Sequence, residues 1–334
     1  MSGALLTATM VLTGCIAGFT YTAGTPNAAI QHVYVAGNVS AGAFASQFAL
    51  PTSVGVNVAP TTDIIGTATT LSDAHRIAFD ASGNMYVTDH DSNKVDIFAA
   101  GATGNVAPTS SISGGNTGLS SPSGIALDST GKIYVVNQFN NVSVTVYAAG
   151  ATGNATPVAT ISGGSTGLVE PNGIALDSTG KIYVCDERNS STASVTVYAA
   201  NPVGNITSAP LATIMGANTG LNSSHDLTLD SSGNIYVVNG DDFGGAGAST
   251  VDVFAAGATG NVAPIAVISG SNTAFSDPNG ISVDASGKIY VGNQKAIEVF
   301  AANPVGTLNE APIATSSGSN TGITSGVIHG VTVH

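Results

Sequence analysis

The sequence predicts an all-β fold, a six-bladed β-propeller of four-stranded antiparallel blades, from its composition, an internal repeat and the way that repeat is split between the two ends. Only 8% of the 334 residues are charged and 43% are apolar, a balance that suits short strands and tight turns and is too apolar for disorder. The segment Gly124 to Asn137 returns almost unchanged as Gly173 to Asp186, and more loosely as Arg76 to Asp89, Asp226 to Asn239 and Gly280 to Asn293. Tyr34, Tyr86, Tyr134, Tyr183, Tyr236 and Tyr290 mark the period with steps of 52, 48, 49, 53 and 54 residues, the length of a propeller blade. A sixth copy is divided, with its second half at Val33 to Val35 and its first half at Gly330 to Val333. The C-terminal strand therefore joins the N-terminal blade and closes the ring, removing the open edges that invite aggregation.

In chain order, residues 1–23 read as an export segment with a short tether. The apolar stretch Ala4 to Leu12 is too short to span a bilayer as a mature helix. It runs into Leu12 to Cys15, which resembles the lipobox of bacterial lipoproteins. That resemblance implies lipidation at Cys15, a place in the cell envelope or outside the cell, and membrane contact through the lipid anchor alone. Residues 24–334 read as one propeller, with blades at about 31–72 plus 327–334, 73–122, 123–171, 172–224, 225–278 and 279–326.

Within a blade, the third for example, the strands are expected at Gly124 to Asp128, Lys132 to Val135, Val144 to Ala149 and Pro157 to Ser162. The turn Asp128 to Gly131 recurs at 80–83, 177–180, 230–233 and 284–287, and suits a hairpin in which Asp bonds the turn backbone and Gly takes positive φ. A calcium loop would need carboxylates at alternating positions, where these turns offer Ser, Thr and Ala. Lys132 leads into a strand instead of a helix, so the turn is no phosphate loop. Cys185 aligns with Thr88, Val136 and Val238 and reads as a buried small residue.

A net charge of −13 with seven Lys and Arg leaves no basic stripe for phosphates, which excludes a nucleic-acid partner. Many of the acidic residues sit in the repeated turn, so the acidity serves solubility, and the chain reads as a monomer.

Loop lengths separate the two faces. The turn Asp always precedes the next Tyr by six residues, whereas the step from second to third strand ranges from ten (Tyr290 to Phe300) to eighteen (Tyr236 to Phe254). The variable face also receives the residues that open each first strand, His75, Ser123, Asn172, His225, Asn279 and His329. It receives the ends of the second strands too, Gly37, Asp89, Asn137, Asp186, Asn239 and Asn293, with His90 beside Asp89.

Such convergence at a channel mouth suits a small polar ligand, or one divalent metal, zinc or calcium, held by His75, His225 and His329. Those histidines fall in blades two, five and one, so two face each other and two are neighbours. Asp89, Asp186 and Asp226 are the candidate bases, and His90, Asn137, Asn172, Asn239, Asn279 and Asn293 the candidate ligand contacts. The plain alternative is that these residues cap loops and hold ordered water.

The unit Pro171 to Asp186 resembles the NHL repeat, and the resemblance runs from about residue 31 to the end. It implies a propeller, which hosts many unrelated roles. Asn172 and Asn279 look like the metal-binding asparagines of the similar senescence-marker and gluconolactonase family. His225 to Leu227 and His329 to Val331 look like the zinc-binding motifs of the peptide-amidating lyase. Beside a purely structural role in a surface layer or envelope, two function classes stay open. One is a tethered binding or scaffold module whose variable face holds a protein, glycan or small molecule. The other is a metal-dependent hydrolase or lyase, lactonase-like or amidating-lyase-like, at the channel mouth.

Overall fold

The computed structural model describes residues 31–40, 42–187, 192–240, 249–323 and 326–334. Cys15, the export segment and the loop residues Asp241 to Gly245 lie outside the described residues. No helix among those residues is long and apolar enough to cross a membrane.

Among the described residues six sheets form, each with four antiparallel strands of one blade. Their inner strands are Val327–Val333, Ala74–Phe79, Pro122–Leu127, Pro171–Leu176, Ser224–Leu229 and Pro278–Val283, for blades one to six. Each touches the next and the last touches the first, so the ring is closed. The split blade forms as the repeat predicts, with Val333 opposite Val33 and Val331 opposite Val35.

The core lies between blades. Tyr134, Val136, Val144 and Val146 of blade three pack on Ile174, Ile182, Val184 and Tyr198 of blade four, and an equivalent cluster fills every other interface. The alternation of each strand sends one set of side chains to each neighbouring blade, and a fully buried Val or Ile contributes roughly 1.5–3 kcal/mol. Cys185 sits in one of these clusters, where burial pushes its thiol well up. The hairpin turns behave as read. Asp128 Oδ1 accepts from the backbone N of Thr130 (2.8 Å) and Lys132 (3.0 Å), and Oδ2 accepts from the Tyr134 hydroxyl at 3.1 Å. Gly131 takes φ 84°. The constant Asp-to-Tyr spacing is thus a bond from the turn to the second strand.

The outer edges are clasped, a feature the sequence reading did not anticipate. Gly204–Ile206 of blade four pairs in parallel with the outer strand Ala159–Ser162 of blade three, and Gly306–Leu308 of blade six does the same to Ala266–Ser269 of blade five. Elsewhere backbone bonds at Gly104, Gly153, Gly260 and Val56 accompany an asparagine side chain that reaches back. Asn105 Oδ1 accepts from Ala68 N (2.6 Å), and Asn154, Asn261 and Asn57 accept from Asn116, Asn218 and Asn320 N, each at 2.8 Å. The last of these ties blade one to blade six and gives the ring a second latch.

Candidate functional site

Every inner strand carries a register shift just after its start. Ala74 pairs with Asp89 but Ile77 with Val87, and Ser224 pairs with Asn239 but Asp226 with Val238. The remaining four strands shift at the equivalent place. A bulge re-aims the residues it contains. Here those residues include His329, His75, Ser123, Asn172, His225 and Asn279, the ring expected at the channel mouth.

The next residue points down the axis. In four blades it is glycine, because the strands are too close for more: a Cβ at Gly124 would lie 2.5 Å from Asn172 O, and one at Gly330 2.5 Å from His75 O. Blades two and five, which face each other, carry Arg76 and Asp226 instead. Arg76 Nε lies 3.1 Å from Asp226 Oδ2. Its Nη1 donates to the carbonyls of His75 (3.2 Å) and His329, and its Nη2 to those of His225 (2.9 Å) and Asn279 (3.0 Å). Asp226 also accepts from Leu227 N (2.9 Å) and Ile281 N (3.3 Å). Burial pushes its carboxyl up against the opposing pull of the guanidinium. The pair plugs the channel below the mouth. On the other side of the plug lies a cavity of about 260 Å³ lined by Ile77, Phe79, Leu127, Leu227 and Val331.

Second-strand ends face into their own blades. Asp89 and Asp186 each accept two backbone N–H bonds from the loop entering the first strand, at 2.9–3.0 Å. Asn137, Asn239 and Asn293 accept from Ser120, Asn222 and Ser276 N and donate to polar groups of the third strand. All five are buried. Because side chains alternate along a strand, the mouth is lined by the following residue, which is Asn38, His90, Gln138, Glu187, Gly240 or Gln294.

Two polar clusters result. On blades one and two, the carboxylate of Asp73 is a hub: His75 Nε2 lies 3.2 Å and His90 Nδ1 3.5 Å from Oδ2, and His329 Nε2 3.7 Å from Oδ1. Asn38 Nδ2 donates to Oδ1. The rings of His90, His75 and His329 form one stack, with centroids 4.4 Å apart at each step. Burial pushes the Asp73 carboxyl up, but the bonds from His75 and Asn38 outweigh it and hold it well below the usual carboxylate range. Burial lowers His75, and it takes His329 down to about 3 with help from neighbouring His75. At neutral pH the site therefore holds the Asp73 carboxylate beside neutral His75 and His329 imidazoles.

The second cluster spans blades three to five. Glu187 Oε2 accepts from Asn172 Nδ2 (2.5 Å) and Gln138 Nε2 (2.9 Å), and Ser123 Oγ donates to Asn172 Oδ1 at 2.8 Å. Glu187 Oε1 lies 3.6 Å from His225 Nε2. His225 Nδ1 faces the Pro278 carbonyl at 3.0 Å, which can only accept, so Nδ1 carries a proton. Asn279 Nδ2 donates to Asp277 O. The structure thus joins His75 and His329 to His90, and places His225 in the other cluster. Sequence reasoning missed Asp73, Asn38, Gln138 and Glu187. Their signal was position alone, two residues before the bulge histidine or one past the recurring residue at the end of the second strand.

A family model described as Lactonase, 7-bladed beta-propeller, matches residues 72–209. Over that span the chain is similar to a lactonase propeller. The span contains Asp73, His75, His90, Gln138, Asn172 and Glu187, and omits Asn38, His225 and His329. Six blades stand here where the description gives seven. No curated protein matches the chain. Among solved structures, a chain of a nidogen/laminin complex is 15% identical with a TM-score of 0.60, covering 91% of this chain and 98% of that one. A protein of unknown function from Bacteroides caccae is 10% identical with a TM-score of 0.61 and the same coverage. At these identities the likeness is one of fold.

Proposed function

We propose that the channel mouth is a hydrolytic site for small esters, cyclic esters included, with Glu187 as the proton-transfer group. The observation that carries this reading is the pinning of Glu187. One carboxylate oxygen is fixed by Gln138 and Asn172, and the other lies 3.6 Å from His225 Nε2. Water attacks the carbonyl carbon and gives its proton to Glu187 Oε1. The ring C–O bond then breaks, and the leaving alkoxide takes that proton back. His225 is a positioning residue, held by Pro278 O and Ser223 Oγ. The similarity to a lactonase model over residues 72–209 supports the substrate class.

The test is hydrolysis of a panel of five- and six-membered lactones and aryl acetates. Glu187→Gln is expected to lower kcat by about 10²–10⁴-fold and His225→Gln by less. No turnover of any member, or turnover indifferent to Glu187→Gln, would overturn the reading. A second reading, a site that only binds, is favoured by the same pinning, since fixed amides and carboxylates recognise hydroxyl groups. Saturable binding of a neutral sugar without turnover would select it. The lipobox-like run ending at Cys15 supports a place outside the cytoplasm for either activity.

A further inference from the structure

We propose that Asp73, His75 and His90 bind one divalent transition-metal ion, with zinc the best fit. Asp73, His75 and His90 can each offer one ligand atom with all three inside 4.8 Å of one another. Bonds of about 2.0–2.1 Å in a tetrahedral zinc site put neighbouring donors about 3.4 Å apart. The separations from Asp73 Oδ2 to His75 Nε2 and His90 Nδ1, at 3.2 and 3.5 Å, bracket that value.

Hydrogen bonding within the cluster accounts for it incompletely. His90 Nε2, the ring nitrogen opposite the one that meets Asp73 and Asp91, and Asn38 Oδ1 are buried without a partner, an arrangement that costs roughly 1–3 kcal/mol per group in a finished polar network. The donor set selects the ion: two imidazoles and one carboxylate suit zinc, iron, cobalt or manganese, whereas calcium and magnesium want oxygen. Nothing in this assignment depends on ester hydrolysis. If that reading also holds, the ion would polarise the carbonyl that water attacks.

The experiment is titration of the chelator-treated protein with Zn²⁺, Co²⁺ and Ca²⁺, followed by calorimetry and by the visible spectrum of the cobalt form. One equivalent of Zn²⁺ is expected to bind, at least 100-fold more tightly than Ca²⁺, and Co²⁺ to give the intense visible bands of four-coordinate nitrogen–oxygen ligation. Asp73→Asn and His75→Ala should each weaken Zn²⁺ at least tenfold, with His225→Ala leaving it unchanged. Circular dichroism melting of each variant identifies those that still fold, and His90→Gln serves where His75→Ala does not. Absence of stoichiometric binding, binding unaltered in the folded Asp73 and His75 or His90 variants, or equal loss in His225→Ala would each overturn the assignment.

Discussion

Blades two and five face each other across the channel and use the same backbone device for different chemistry. Each places a histidine in the inner-strand bulge, His75 or His225, followed by a charged residue, Arg76 or Asp226. Two residues before the histidine stands Asp73 in one blade and Ser223 in the other. Beyond the second strand stands His90 in one and Gly240 in the other. With a carboxylate and a second imidazole beside it, His75 joins a cluster suited to a cation. With a hydroxyl, a carbonyl and no side chain at 240, His225 meets Ser223 Oγ and Pro278 O and backs Glu187. The repeat supplies position, and the neighbours decide the chemistry.

The strongest way to break this pairing is to separate the two charges that the opposing blades contribute to the plug. Arg76→Met leaves Asp226 buried and unpaired, and should cost about 3–5 kcal/mol in denaturant unfolding. The double variant Arg76→Met, Asp226→Leu should recover most of that loss. Additive losses would show that the ion pair is not the unit.

The third strands sharpen the same contrast. In blade two Asp96 has Lys94 at 2.9 Å, whereas in blade five Asp252 has only the amide of Asn239, at 2.8 Å, and the Thr250 hydroxyl nearby. Burial pushes Asp252 up to about 7, and Glu298 of blade six equally to about 7. A carboxyl whose folded value is raised stabilises the fold below its unfolded value near 4, and that contribution is lost as pH rises through 7. Stability should therefore fall between about pH 4 and pH 7 and level off above. Asp252→Asn should flatten the fall and add on the order of 2–4 kcal/mol at pH 8, measured by urea unfolding across pH. An unchanged slope would remove Asp252 from the account.

The smallest expected effect concerns Gly240. A Cβ there would overlap His225 Cε1 and lie 2.6 Å from Asp277 Oδ1. Gly240→Ala should displace His225 at a cost of about 1–3 kcal/mol. Imidazole NMR signals should shift for His225 and stay in place for His75 and His329; movement of all three would mean that the two clusters are one.

The architecture was legible because it is written six times: the Tyr period, the Asp-to-Gly turns and the split blade each rest on residues that recur. The ring from His75 to His329 was legible for the same reason. Its chemistry was less so. Asp89, Asn137 and Asp186 stand at conspicuous strand ends, yet alternation turns them into the blade and presents His90, Gln138 and Glu187 instead. Asp73 gains meaning only once a bulge brings His75, His90 and His329 to it from three segments. The Arg76–Asp226 pair joins residues 150 positions apart, which no local pattern encodes. The clasping asparagines Asn57, Asn105, Asn154 and Asn261 recur visibly, but their partners lie in the preceding blade.

The plug also governs traffic. Arg76 spans the axis with carbonyls of four blades around it, so the mouth is a vestibule with one door. Whatever enters must back out the same way before the next molecule can follow. Any ligand of the mouth therefore enters and leaves by a single passage, and Arg76 and Asp226 also line the cavity on the other side of the plug.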